Sequence, residues 1–309
     1  MSEGFLRWFP TDQRQLRPSF RYSNVRACGK MVWVRSPSFV TEDARKALGG
    51  NLSTVALPVE SFGVSHKGCV RDHNEDNYLV EPQTGLWVVA DGMGGHEAGE
   101  LASASIVDHL ATIGIASSAP DLRARFEDRL SRANAEIRDI SRSRGITIGS
   151  TFAALLAMDG RFACLWAGDS RIYLVRNSLI NQVSKDHSEV QELLDRGAIS
   201  AEEALTWPRR NVITHAVGVS DQLKIDFRQG ELMPGDVFVL NTDGLTAHVS
   251  DAEIEAAVKS ATPQAACRNL LETVLARGGT DNVTIVLVKM GDERDGRFDP
   301  EQRASQNER

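Results

Sequence analysis

The chain has 309 residues, 41% of them hydrophobic and 25% charged; this is a globular composition, with room for one large domain or two ordinary ones. The formal net charge of −7 is unevenly spread: residues 1–58 carry nine Lys and Arg against four Asp and Glu, so that stretch is +5 and the remainder −12. An acidic body disfavours nucleic acid as a partner and suits divalent cations. The four cysteines, Cys28, Cys69, Cys164 and Cys267, form no C-x-x-C pair, which argues against both a zinc ribbon and a disulfide framework. No apolar run approaches the roughly 18 residues of a membrane span. A monomer in a reducing, cytoplasmic setting is expected.

From the N-terminus, residues 1–58 are rich in Arg, Ser and Pro, show no sustained period, and are expected to form a basic, disordered or weakly ordered extension. Their Arg-rich composition also weakly fits a transit peptide, and Met31 is an alternative start. The runs "LWVVAD", "STFAALLAM", "RFACLWAGD", "RIYLVRN", "DVFVLNTDG" and "NVTIVLVKM" have the β-branched and aromatic content of strands. Helices are predicted over 97–113, from Pro120-Asp121 onward through Leu122, Phe126, Leu130, Ile137 and Ile140, over 251–260 behind Ser250, and over 263–277 between Thr262-Pro263 and Gly278. Strands and helices come in separate runs, which favours antiparallel sheets covered by helices. From Gly291 the chain is charged and expected to fray, leaving residues 59–290 as the domain.

The stretch "VVADGMGGHEAGE", residues 88–100, drives three apolar residues into Asp91 and a glycine cluster. It is neither a G-x-G-x-x-G fingerprint nor a phosphate loop, it lacks the second histidine of a zinc-protease helix, and the chain has no G-x-S-x-G elbow. A tight turn or a metal site remains for Asp91 taken alone. Other acids have the same placing: Asp243 ends "VLNTDG", Asp169 ends "LWAGDS", Asp281 precedes the strand beginning at Val283, and Asp76 closes "RDHNED" before an apolar stretch. If those strands lie side by side the carboxylates converge, and convergence without lysines demands cations. Oxygen-only ligands suit Mg²⁺ or Mn²⁺ better than zinc, and two such ions about 3.5–4 Å apart can acidify a bridging water for attack on phosphorus.

Arg71-x-x-Asn74-Glu75-Asp76, Asp91-Gly92-Met93-Gly94-Gly95, Gly149-Ser150-Thr151, Gly168-Asp169-Ser170-Arg171, Thr242-Asp243-Gly244 and Gly279-Thr280-Asp281-Asn282 occur in an order that resembles the metal-dependent Ser/Thr protein phosphatases of type 2C, in their bacterial form. The resemblance covers about residues 61–290. It implies an α+β fold, a four-layer α-β-β-α sandwich with two central, mostly antiparallel sheets, and a cleft at one edge of them. It implies that Asp76, Asp91, Asp243 and Asp281 hold two Mn²⁺ or Mg²⁺ ions with the Gly92 carbonyl as a further ligand. Asp169 would share a third, weaker ion with Asp243, and Arg71 would grip the substrate phosphate. Glu75 is expected behind the ligands and Asn282 as a turn or hydrogen-bonding residue.

Two departures stand out. Eukaryotic members often carry a histidine where this chain has Met93, which leaves the general acid open between a water near Asp169 and His96. Lys185 to Gly218 resembles the bacterial flap, expected to be mobile and based on Asp186, His187 and a helix with Val190, Leu193 and Leu194; it has His215 where relatives commonly have arginine. The implied activity is hydrolysis of phosphoserine and phosphothreonine in proteins, opposing a bacterial Ser/Thr kinase in signalling or secretion control. The alternative is a module that binds phosphoproteins in the same cleft without turning them over. The basic N-terminal arm could dock an acidic partner or a membrane surface.

Overall fold

Seven consecutive residues, Phe152–Met158, are all buried, which only a strand covered on both faces can achieve. The structure, a computed structural model, describes residues 24–27, 30–33, 57–95, 98–259 and 261–291. In chain order its elements are β1 (Asn24–Ala27), β2 (Lys30–Trp33), β3 (Val59–His66), β4 (Asp76–Glu81), β5 (Leu86–Met93), α1 (Ala98–Ala111), α2 (Ala119–Arg144), β6 (Gly149–Ser150), β7 (Phe152–Met158), β8 (Arg161–Ala167), β9 (Arg171–Arg176) and β10 (Leu179–Gln182). There follow α3 (Glu189–Asp195), α4 (Ala201–Leu205), β11 (Asp226–Glu231), β12 (Val237–Asn241), α5 (Asp243–Thr246), α6 (Asp251–Lys259), α7 (Pro263–Ala276) and β13 (Val283–Met290).

Two antiparallel sheets result, one ordered β10-β9-β12-β13-β3 and the other β11-β8-β7-β5-β4 with β6 paired to β5. Alternation along each central strand sorts its side chains between two cores. In β7, Phe152, Ala154, Leu156 and Met158 meet Ile106, Leu122, Phe126 and Leu130 of the helices α1 and α2, while Ala153, Leu155 and Ala157 meet Phe238, Leu240, Val286 and Val288 of the other sheet. A third core joins Val239, Ile285 and Leu287 to Ile254, Leu270 and Val274 of α6 and α7. The molecule is thus α-β-β-α in four layers, as expected from the sequence.

The helix signals act where predicted. Ser118 caps α2 by accepting from the Asp121 amide, and Gly145 ends it at φ 66°, the left-handed conformation that glycine adopts without cost. Thr262 caps α7 through the Ala265 amide, with proline in the first turn.

Three features differ from the sequence expectation. β5 does not end at Asp91 but runs to Met93, because Gly92 and Met93 pair with Ser150 and Gly149 of β6. Within the N-terminal stretch expected to be disordered or weakly ordered, β1 and β2 pair antiparallel with Ala27 opposite Lys30; the rest of residues 1–56, and the tail after Gly291, lie outside the described residues. Cys164 and Cys267 are buried thiols, but Cys69 is disulfide-bonded. No helix among the described residues is long and apolar enough to cross a membrane.

Phe126 is fully buried and tilts against Phe152 with ring centroids 5.9 Å apart. Phe126→Ala is expected to lower the unfolding free energy by about 3–5 kcal/mol, measured by urea denaturation.

Candidate active site

Antiparallel pairing brings the acids to one end of both sheets. Asp76 begins β4 and lies opposite Asp91 in the register of β4 with β5. In the other sheet Asn241 lies opposite Arg171 and Ile285, so the turn after β12 with Asp243, the turn before β13 with Asp281 and the turn before β9 with Asp169 share an end.

The sheets are joined at that end by Thr242. Its Oγ1 donates to Asp76 Oδ2 at 2.8 Å and accepts from the Thr284 amide at 3.0 Å. Asp76 is buried, and its Oδ1 has no hydrogen-bond partner. Burial pushes the Asp76 carboxyl up to about 7, with Asp243 and Asp281 adding to the rise. Burial and then Asp76, Asp243, Asp169 and Asp281 hold Asp91 well above the usual carboxylate range. Asp169 rises to about 7 by burial and then Asp243, and Asp243 to about 6 by burial and then Asp281. Each of these shifts has the same meaning: the charged forms lack compensation.

Around the acids the backbone is tightly held. Asn282 accepts from the Glu75 amide at 2.8 Å and donates to the carbonyls of Lys67 and His73, so the residue expected as a hydrogen-bonding residue fastens the whole 67–75 loop. A β-carbon on Gly92 would lie 2.0 Å from the Gly99 carbonyl oxygen, and one on Gly244 1.9 Å from that of Asn282; both glycines are required by close approach. Glu75 lies against Gly99 in the first turn of α1: the Gly99 amide lowers its pKa, but burial outweighs this and the net shift is upward. Ser150 Oγ donates to the Asp91 carbonyl, and Thr151 Oγ1 meets Ser170 Oγ at 2.7 Å, tying the Asp91 strand to the Asp169 turn. Arg71, more than half exposed, donates from Nη2 to Asp281 Oδ2 at 2.8 Å.

No three His, Cys, Asp or Glu side chains among the described residues close into a single-ion cage. Such a cage is not what Mg²⁺-type ions require, since they keep several waters and take one or two carboxylates each. The orphaned Asp76 oxygen, the crowded carboxylates and the oxygen-only donor set fit divalent cations.

A protein phosphatase 2C model matches residues 62–193. Over 234 residues the chain is 34% identical to the protein phosphatase PhpP of Streptococcus pneumoniae, covering 73% of this chain and 95% of that one. The chain belongs to the protein phosphatase 2C family. A Stage II sporulation protein E model also matches residues 203–291. Among solved structures similar to this family member, PppA, a key regulatory component of T6SS in Pseudomonas aeruginosa, is 41% identical with a TM-score of 0.71, covering 76% of this chain and all but 1% of that one, 99%. The catalytic domain of serine threonine protein phosphatase PstP, in complex with two manganese ions, is 32% identical with a TM-score of 0.70 and covers 77% of this chain and 100% of that one.

In this phosphatase 2C chain Met93 stands opposite Gly149 in the pairing of β5 with β6 and can neither give nor take a proton. His96, the other residue considered as an acid, lies outside the described residues. The flap base is as expected and better connected than the sequence shows. Asp186 takes a forked pair of bonds from Arg171. His187 accepts from the Gly168 amide on Nδ1 at 3.2 Å and reaches Asp226 Oδ2 from Nε2 at 3.2 Å. His215 stands edge-on to His187 with centroids 4.4 Å apart, and burial followed by His187 lowers its pKa, so no fixed cation occupies this place. Asp226 and Thr284 carry no signal in the sequence; both act on partners distant along the chain.

For a carboxyl raised in the folded state, the folded chain binds protons more tightly, so its stabilising contribution is present at low pH and is lost as pH rises from about 4, the ordinary range, towards about 7. In excess EDTA, Asp91→Asn is therefore expected to raise the urea midpoint at pH 8, with the gain vanishing near pH 4. Exposed residues 201–205 form a helix of only five residues; hydrogen exchange across 200–212 is expected to be faster than in β7, where equal protection would show a rigid flap.

Proposed function

We propose that this family member hydrolyses phosphoserine and phosphothreonine in proteins, using two Mn²⁺ or Mg²⁺ ions held by Asp76, Asp91, Asp243 and Asp281 with the Gly92 carbonyl. Asp169, close enough to Asp243 for that carboxylate to raise its pKa, completes a weaker third site. The single observation behind this reading is a buried, unpartnered carboxylate oxygen on Asp76 within a ring of mutually repelling acids. The manganese-bound PstP domain supports the same choice of ion.

Bound divalent ions would supply the positive charge that acidifies a water for attack and screens the phosphoryl oxygens. The chain's own part is to prepare the site. Thr242 and Asn282 fix the acids before substrate arrives, so little reorganisation is left for the reaction. Arg71 uses one nitrogen on Asp281 and keeps further N–H donors of its planar fork for the phosphate. Its place at the exposed rim lets it meet the phosphate as it enters and align it for in-line displacement. No covalent enzyme intermediate is needed.

The physiological role that fits best is reversal of a bacterial Ser/Thr kinase, in the cytoplasm, in signalling or secretion control; the similarity to PppA, described as a regulatory component of T6SS, supports the latter. Hydrolysis of p-nitrophenyl phosphate is expected to require Mn²⁺ and to fall at least about 100-fold in Asp243→Ala, the scale of losing a preorganised charge. Arg71→Ala is expected to lower kcat/KM for a phosphopeptide about 10- to 100-fold, the worth of one charged hydrogen bond. Equal rates in excess EDTA would overturn the reading, as would tight binding of phosphopeptide with no release of phosphate.

A further inference from the structure

β11 is an edge of its sheet; at Glu231 it is closed, because Arg176 Nη2 donates to the Glu231 carbonyl at 2.8 Å, but from Asp226 to Gly230 no further strand pairs with it among the described residues. Among the described strands β11 pairs only with β8, through six consecutive residues without a bulge. Natural edges are usually blunted by proline, a bulge or a covering element. β11 has no proline or bulge; its Phe227 is 47% exposed with the Arg123 guanidinium 4.0 Å from its ring centroid, and at Gly230 the Phe162 ring covers one face, 2.7 Å from where a β-carbon would stand.

Each face of this edge carries a hollow. Residues opposite in register share a face, which puts Gln229 and Glu231 with Ala163 and Arg161 on the helix side and Arg228 with Cys164 on the side of the other sheet. On the helix side a hollow of about 530 Å³ is lined by Pro120, Arg123, Met158, Arg161 and Gln229. On the other side one of about 540 Å³ is lined by Leu174, Asn181, Val183, Lys185 and Arg228. An extended peptide added to a free edge needs this arrangement: backbone groups for pairing, and a recess on each face for its alternating side chains.

The charges select the occupant. Arg123 and Lys185 are paired with Glu127 and Asp195, but Arg161 and Arg228, one in each hollow, are exposed and make no ion pair among the described residues, although Glu231 lines the Arg161 hollow as well. They stand on a body whose net charge after residue 58 is −12. Arg161 lies level with Glu231, three positions from Arg228, so acids three apart on a docked strand would point to opposite faces and reach one arginine each.

We propose that the β11 edge docks an extended acidic segment of the phosphoprotein substrate by strand addition, with carboxylates an odd number of positions apart seated on Arg161 and Arg228. This rests on the phosphatase reading. The edge begins at Asp226, whose contact to His187 leads to Gly168 beside Asp169, so a segment held there lies next to the flap and the cleft.

The test uses the full chain and a fluorescein-labelled dodecapeptide, Thr-Glu-Val repeated four times, followed by fluorescence anisotropy. Binding is expected, weakened at least about tenfold in Arg161→Glu/Arg228→Glu, absent for the Thr-Lys-Val counterpart, and absent when alternate peptide nitrogens are methylated. For a phosphopeptide extended by the same acidic tract, the double variant raises KM with kcat and p-nitrophenyl phosphate hydrolysis unchanged. Binding that survives the double substitution, or is equal for the lysine or methylated peptide, overturns the proposal; so does a dimer in light scattering that the double variant abolishes, which would give the edge to a second copy. Peptide binding is read without turnover, so an enzyme inactive on p-nitrophenyl phosphate would sink the phosphatase reading separately.

Discussion

Repulsion among carboxylates is the constraint on which this structure turns. Asp76 faces Asp91 across one sheet, Asp243 and Asp281 arrive from the other, and Thr242 closes the gap by bonding to Asp76 while pairing with Thr284. Bringing acids together in this way opposes folding, and four layers of apolar packing are what hold them. Continuous runs such as Phe152–Met158, buried on both faces, supply that packing and place every acid at a strand end. The same crowding that disfavours the charged carboxylates makes the site ready for divalent cations.

Much of this was legible in the sequence, for reasons that differ by element. Doubly covered strands read as unbroken apolar runs, and Thr262-Pro263 and Pro120-Asp121 announced the starts of α7 and α2, whereas the Ser118 cap was seen only in the structure. The acids were legible because they sit where apolar runs stop. What escaped was structure made by partners. β11, with the sequence DFRQGE and mostly exposed, has no apolar alternation, since an edge strand on an open side needs none. β5 outlasts its apolar run because Gly149 and Ser150 pair with its last residues, a contact that neither segment reveals alone. The bonds from Thr242 to Asp76 and from His187 to Gly168 and Asp226 join residues 166, 19 and 39 positions apart, beyond the reach of any local pattern.

The two ends of the cleft are held to different degrees, and the difference follows from chemistry. The Asp169 turn is fastened by the Thr151–Ser170 contact, by reciprocal bonds between Gly168 and His187, and by the fork from Arg171 to Asp186. Arg71 has one ion-pair contact and an exposed side chain. Groups that define where ions sit gain from rigidity, because a misplaced ligand charge in a low-dielectric site is costly. In the proposed reaction, a group that takes hold of an arriving phosphate and lets go of the product would gain from a long side chain at the rim, where each exchange of partner happens in water. Asp281, shared between Arg71 and the amide of Asn282, is where these two regimes meet: it belongs to the ring of acids and also sets the position of the exposed Arg71 guanidinium.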